Sequence, residues 1–391
     1  MTSNRICELH SVGLGYRRAA EPYAVSDSQG QRVPRFFAPG RANLIGEHTD
    51  HTDGLVLPVA IDRGVTLDAD LGGDEIVLVS ADAEGKVRLR ADGSEVPERG
   101  WGRFVAAVAA ELADLDRTPV GMHGELRSDL PQGAGLSSSA ALEVVLATAL
   151  AAAADLELAP LDLAAACRRA ERRAVGVPSG IMDQAASVLG RADHAVLLDC
   201  GRLEYRFVPL PADHVLLIAD SGVRRQLETS GYAQRSAELG QALHVLDGRR
   251  PCEIGVEDLD DLLAGLDDVP ARRLRHVVTE NERVRQTEAA LAEGRLDDLG
   301  LLFVAGHASL RDDYEVTIPE LDRLVELAVD GGATAARMTG GGFGGAVIAL
   351  VREELVEPVE AALADGYERD FPTRRLQVHR CRAADGARRL A

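Results

Sequence analysis

Within thirteen positions the chain sets Arg41, Asn43, Glu47, His48, Asp50, His51 and Asp53, with short apolar runs on either side (RFFAP before, LVLPVAI after). Carboxylates accept hydrogen bonds from hydroxyl groups and histidines donate or accept them, so a polyhydroxylated ligand accounts for this mixture of side chains. A metal is a second reading, since His48, Asp50, His51 and Asp53 offer nitrogen and oxygen ligands, although HTDHTD is not a zinc-hydrolase spacing. A solvated turn capped by its own aspartates is the third; it leaves the tight apolar flanks unexplained.

A second chemical stretch is Pro131 to Glu143, PQGAGLSSSAALE. It follows an alternating segment, Gly121 to Leu130, and runs through two glycines and three serines into an Ala/Leu-rich helical pattern. Two readings are open: a glycine turn with a serine N-cap, or a phosphate site, where the first unpaired amides of the helix and its positive dipole end meet an anion. The only lysine, Lys86 in AEGKVRL, lies outside any Walker A pattern, so nucleotide chemistry would have to proceed without a P-loop lysine.

Two further constellations need context. Glu171 and Asp183 stand twelve residues apart across a helix end and a PSG break, and could divide metal binding from base work, or be exposed helix-terminal acids. In RMTGGGFGGAV, Gly340, Gly342 and Gly345 satisfy GxGxxG, yet a strand-like AVIALV follows where a dinucleotide fold requires a helix. A glycine run of this kind fits a backbone passing close to a ligand or another loop.

The elements that must hold these groups are legible in outline. Residues 1 to about 30 read as a helix and loose connector, and the segment from Val33 as strand, functional loop, strand. Thr66 to Arg90 reads as an antiparallel meander, Trp101 to Leu115 as a helix, and Leu161 to Val175 as an amphipathic helix. Ala195 to Leu198 and Leu203 to Pro209 read as paired strands, and His214 to Ala219 as the strand opening the second half. Ser309 to Val316 reads as a charged connector, Glu320 to Val329 and Val356 to Asp365 as helices, and Arg375 to His379 as the last strand. At 391 residues two domains are expected, 1–210 and 211–391.

Charge and cysteine content exclude several classes. A net charge of −20, from 63 acidic and 43 basic residues, opposes binding to nucleic acid or an anionic membrane but leaves small anionic ligands open. Five cysteines without CxxC spacing indicate neither a disulfide framework nor structural zinc. The N-terminus lacks an apolar core of signal-peptide length, and no uncharged apolar run reaches about 18 residues, so a cytoplasmic location is expected. A monomer is the expected state.

Taken together, GRANLIGEHTDHTDG, PQGAGLSSSAALE, VPSGIMDQ and RMTGGGFGG resemble the galactokinases, within the superfamily that joins galactokinase, homoserine kinase, mevalonate kinase and phosphomevalonate kinase. Lesser likenesses at RHVVTENERV, SLRDDYEV and SGVRRQLETSGYAQR extend the resemblance over about residues 34 to 350. It implies an α+β, two-domain GHMP-kinase-type fold with the site in the interdomain cleft, and ATP-dependent phosphorylation of the anomeric hydroxyl of galactose with Mg²⁺. Asp183 would face that hydroxyl and Arg41 would offset charge on the transferring phosphoryl group. Gly133, Ala134, Gly135, Leu136, Ser137, Ser138 and Ser139 would wrap the ATP phosphates, and Ser138 and Glu171 would hold Mg²⁺. Glu47 and His48 would bind the sugar toward C6 and Asp50 toward C3 and C4, with Gly180, Tyr232 and Arg224 on the sugar side. His51-Thr52 departs from the family's usual Tyr-Asn. A relative acting on galacturonic acid also has His there but lacks the Glu; Glu47 would repel a C6 carboxylate, which favours a neutral hydroxyl. A kinase for another neutral hexose or an amino sugar, and a non-catalytic sugar- and ATP-binding regulator, are the alternatives.

Overall fold

The computed structural model describes residues 33–131, 133–176, 179–224 and 228–391, so the expected N-terminal helix and connector lie outside the described residues. In chain order the first half forms β1 (Arg35–Asn43), β2 (Leu55–Val56), β3 (Pro58–Leu71), β4 (Glu75–Ser80), β5 (Lys86–Arg90), α1 (Gly102–Ala113), β6 (Met122–Ser128), α2 (Ser138–Ala153), α3 (Pro160–Val175), α4 (Met182–Leu189), β7 (His194–Asp199) and β8 (Glu204–Pro209). The second forms β9 (His214–Asp220), α5 (Glu228–Ala242), α6 (Leu259–Leu263), α7 (Asp268–Glu293), α8 (Leu296–Asp312), α9 (Pro319–Asp330), β10 (Ala335–Thr339), β11 (Ala346–Arg352), α10 (Val356–Asp370), β12 (Gln377–Cys381) and β13 (Arg388–Leu390). The fold is α+β in two domains.

Three sheets organise these elements: a six-stranded sheet ordered β13-β1-β3-β6-β4-β5, a four-stranded sheet ordered β10-β11-β9-β12, and a small sheet β2-β7-β8. The expected meander over residues 66–90 is corrected by this order. β4 and β5 do form a hairpin, but β6 enters between β3 and β4 and pairs with β4 in parallel. A parallel neighbour requires a crossover, and the chain supplies it through β5 and α1.

β9, HVLLIAD, is buried along its whole length. Its alternate side chains serve two cores: Leu216 and Ile218 join the core under the six-stranded sheet, while Val215, Leu217 and Ala219 pack with α5, α7, α9 and α10. A strand covered on both faces reads as an unbroken apolar run, and the second half's sheet is therefore also part of the first half's core. The boundary expected at 210 needs a second amendment at the C-terminus. β13 pairs with β1 through Arg35–Leu390, Phe36–Arg389 and Phe37–Arg388, returning the chain to the first sheet. The connector expected from Ser309 begins later, because α8 runs to Asp312.

The site depends most on α2. Rich in alanine and leucine and apolar on all sides, it is the central helix, packed against β1, β3, α1, α3 and α4. Its N-terminal serines reach out of the core toward the cavity. No helix among the described residues is long and apolar enough to cross a membrane, and Cys167, Cys200, Cys252 and Cys381 are free and buried.

Candidate active site

A cavity of about 370 Å³ lies where the loop after β1, the loop before α2, the start of α4, α5 and the loop after β10 converge. Its walls include Arg41, Glu47, His48, Asp50, Ser137, Ser138, Ser139, Glu171, Gly180, Asp183 and Tyr232, with Gly340 to Phe343 opposite. Most residues singled out in the sequence are thus brought together. Ala134 is not at the wall but buried behind it.

At the N-terminus of α2 the N-cap reading of the serines is not met. Ser137 adopts a left-handed backbone (φ 58°, ψ 47°) and makes no capping hydrogen bond, unlike the extended backbone and side-chain cap that a helix-starting serine normally provides. Its hydroxyl donates instead to Asp183 Oδ2. Neither a cap nor an acid in the first turn occupies this end of the helix, and its Ser137, Ser138 and Ser139 line the cavity, where a helix's unpaired first amides and positive dipole end favour an anion. Gly135, at φ 76°, lets the chain turn into it without a side-chain penalty.

Arg41 ties this loop to Asp183. The register of β1 against β3 breaks beside Arg41, with the extra residues on β3, between Gly64 and Ala60. The Arg41 Nε donates to Asp183 Oδ1 at 2.8 Å, Nη2 lies 2.7 Å from the same oxygen, and Nη1 donates to the Gly135 carbonyl at 2.6 Å. Both carboxylate oxygens of Asp183 are therefore oriented, one by a guanidinium and one by a hydroxyl, at the N-terminal turn of α4.

Glu171, on the last turns of α3, accepts from Ser179 Oγ (2.7 Å), Gln184 Nε2 (3.1 Å) and Ser139 Oγ (3.3 Å). Burial, with the Asp183 charge adding to it, pushes its carboxyl up, and these donors oppose the rise. Gln184 also donates to the buried Glu143 at 3.0 Å, whose carboxyl burial and Glu171 drive well above the ordinary range. Glu171 with the nearby Asp183 charge and the serine hydroxyls forms a hard oxygen set whose negative charge a small divalent cation would relieve, and Mg²⁺ needs only one or two protein carboxylates beside phosphate oxygens. Ser138 lines the same space, although the serine bonded to Glu171 is Ser139.

The other end of the cavity is buried and polar. Glu47 is 1% exposed, and burial pushes its carboxyl up to about 7 against the pull of Arg337. Burial pulls the His48 imidazole down to about 3, so it is neutral at physiological pH. Burial alone would raise Asp50, but the His51 hydrogen bond and surrounding positive charge outweigh it and leave the carboxyl below its ordinary value. Gly180 lies so close that a Cβ there would stand 1.8 Å from Asp50 Oδ2. The Tyr232 hydroxyl is 3.3 Å from His51 Nδ1, and His51 supports Asp50 and Tyr232 from behind without lining the cavity.

One expectation needs correction here, and one alternative reading is not supported. Arg224, expected on the sugar side, does not line the cavity: it pairs with Asp220 (2.9 Å), and its stem passes over Gly133 of the glycine-serine loop. The HTDHTD side chains do not converge as metal ligands either, and among the described residues no group of three or more His, Cys, Asp or Glu is placed to hold one. The sequence reading missed the supports: Ser137 toward Asp183, Ser179 and Gln184 toward Glu171, and Arg337 and Glu280 toward Glu47. Gln184 and Arg337 lie inside stretches already singled out, VPSGIMDQ and RMTGGGFGG, and Glu280 inside RHVVTENERV.

Family models fit this arrangement. Residues 103–191 match the GHMP kinases N terminal domain and residues 287–369 the GHMP kinases C terminal domain. Fold and site together thus define a GHMP-superfamily kinase, transferring phosphate to a small metabolite. Residues 29–69 match the galactokinase galactose-binding signature. A galactokinase of Roseiflexus sp. (strain RS-1) is 42% identical over 360 residues, 90% of this chain and 92% of that protein. Lactococcus lactis galactokinase, solved in complex with galactose, superimposes with a TM-score of 0.86 at 34% identity over 92% of this chain and 95% of that one. The chain belongs to the galactokinase family. Methanococcus jannaschii mevalonate kinase superimposes with a TM-score of 0.62 at 18% identity, over 91% of this chain and 100% of that one, a likeness of fold alone.

Proposed function

We propose that this chain phosphorylates the anomeric hydroxyl of galactose with ATP, giving α-D-galactose 1-phosphate and ADP. The observation that carries the reading is the Arg41–Asp183–Ser137 cluster, set between the uncapped N-terminus of α2 and the buried Glu47, His48 and Asp50. Phosphates would lie along Gly133 to Ser139 and the sugar among Glu47, His48, Asp50, Gly180 and Tyr232. The anomeric hydroxyl then meets Asp183, which takes its proton as the new O–P bond forms and the bond to the ADP oxygen breaks. Arg41 offsets negative charge on the group in transit, and most of the rate comes from positioning and electrostatics. Ser138 and Glu171 would hold Mg²⁺, which when bound neutralises phosphate charge.

Galactose is preferred over a hexuronate because a sugar carboxylate would face buried Glu47. Glu47→Ala is expected to raise the sugar KM about tenfold to a hundredfold, the worth of a hydrogen bond to a charged group, with the ATP KM little changed. An unchanged sugar KM would remove Glu47 from the sugar site. Gly180→Ala should act on the same constant, because its methyl displaces the Asp50 carboxylate; a normal sugar KM there would contradict the placing of Asp50. The reading itself is tested by ADP release across a panel of neutral hexoses, amino sugars and hexuronates. Galactose is expected to give the highest kcat/KM, and another sugar exceeding it about tenfold would overturn the substrate. Galactose and ATP bound without turnover of any sugar would make the chain a regulator.

A further inference from the structure

Behind the sugar end lies a buried ionic chain that the proposed reaction does not itself use. Arg337, on β10 just before the glycine loop, is 0% exposed. Its Nη2 donates to Glu280 Oε1 of α7 at 2.6 Å and lies 2.8 Å from Glu47 Oε2. Glu280 also accepts from the Gly46 amide (2.9 Å), next to Glu47, and from Arg283 Nε (2.8 Å). Thr339 Oγ1, on the same strand as Arg337, bonds both the amide and the carbonyl of Asn43, so β10 and β1 are fixed against one another. Three segments that shape the sugar end are thus clamped at one point. Meanwhile neither Glu47 oxygen has a well-aligned hydrogen-bond donor among the described residues, although the Asn43 side chain and Glu47's own amide lie near enough to pull its carboxyl down a little. A buried carboxylate whose charge is balanced but whose lone pairs are unclaimed is prepared to accept hydrogen bonds from a ligand.

We propose that Arg337, oriented by Glu280, is the positioning residue for Glu47: it aims the carboxylate into the cavity and supplies the positive charge that lets it serve as an acceptor. The inference rests on Glu47 being a sugar-binding residue. Placed so, Arg337 acts on sugar affinity without touching sugar, ATP or the transferred group.

The charged and titratable groups around Glu47 are Arg337 from β10, Glu280, Arg283 and His276 from α7, and His48 from its own loop. Burial pulls His48 and His276 down to about 3 and about 4, so both are neutral at and above neutral pH. Burial opposes the charge of Glu280, but Arg337 and Arg283 outweigh it and hold this carboxyl far below its ordinary value. Glu47 is left as the member that titrates near neutrality, raised by burial, lowered by Arg337 and raised again by Glu280. Sugar affinity should accordingly improve as pH rises through about 7.

The two partners of Glu47 push its titration in opposite directions, and that gives the test. Galactose and ATP KM and kcat would be measured from about pH 6 to about pH 9 for the wild type, Arg337→Gln, Arg337→Lys and Glu280→Gln. Arg337→Gln is expected to move the midpoint of the galactose KM profile up by about one pH unit or more and to raise that KM about tenfold at neutral pH. The ATP KM and kcat should stay within about threefold, with Arg337→Lys restoring part of the loss. Glu280→Gln removes a like charge and should move the midpoint down, which decides the matter even if Arg337→Gln fails to fold. Unmoved midpoints, a pH-independent rise in KM, or equal losses in ATP KM and kcat would overturn the proposal. A wild type that leaves galactose untouched refutes the kinase reading and the inference with it; wild-type turnover with unmoved midpoints refutes the inference alone.

Discussion

Asp183→Asn is expected to lower kcat by about three orders of magnitude, the middle of what general-base assistance contributes, with sugar and ATP binding changed only a few-fold. Asparagine has nearly the same shape and keeps one oxygen to accept from Arg41 or Ser137, so the packing of α4 survives. It cannot take a proton, and it leaves the buried Arg41 guanidinium without the carboxylate that lies 2.7 Å from Nη2. Turnover and electrostatics are damaged together while Glu47, His48 and Asp50, the groups proposed to hold the sugar, are untouched. Steady-state kinetics with calorimetric titration of galactose separates the two. Turnover within about tenfold of the wild type would remove Asp183 from the proton transfer.

Glu171→Gln should give the second large loss, a rise of about tenfold or more in the Mg²⁺ concentration for half-maximal rate and a fall in kcat of about a hundredfold. The amide fills the same space but removes the negative charge, and its NH₂ meets the donors Ser179, Gln184 and Ser139 that now point at the carboxylate. The effect should therefore fall on metal dependence and rate, with galactose affinity little altered. Rates titrated with Mg²⁺ at saturating galactose measure it, and an unchanged Mg²⁺ dependence would take Glu171 out of the metal site.

Much of the scaffold is visible in the sequence because local patterns decide it. The alternating strand before Pro131, the glycine turn and the long helix α2 stand within a few residues of their expected places. Non-local pairing is what periodicity cannot report. β6 slips between β3 and β4, and β13 spans only Arg388–Leu390, far too short to announce a partner some 350 residues earlier in β1. The site divides in the same way. Arg41, Glu47 and Asp50 stand in one dense local cluster that residue type makes visible, whereas Glu171 and Asp183 are a spaced pair whose expected roles come from the family resemblance.

Their supports do not. Ser137 reads as an N-cap by local propensity and is diverted by an aspartate 46 positions away, through a left-handed backbone in place of the extended one a capping serine normally adopts. Glu280 looks like one acid on a charged helix until α7 buries it against Gly46 and Arg337. Arg224 shows the converse: motif position suggests the sugar side, but its salt bridge to Asp220 and its contact with Gly133 place it at the glycine-serine loop.

The position of the transferred phosphate is the most direct test, because the proposed placing of the sugar sets one hydroxyl, the anomeric one, against the Arg41–Asp183 pair. Incubation of the protein with galactose, ATP and Mg²⁺, followed by ³¹P and ¹H NMR of the product, should show phosphate on the anomeric oxygen in the α configuration, with ADP formed in equal amount. Phosphate on O6, or ATP consumed with no phosphorylated galactose, would contradict it.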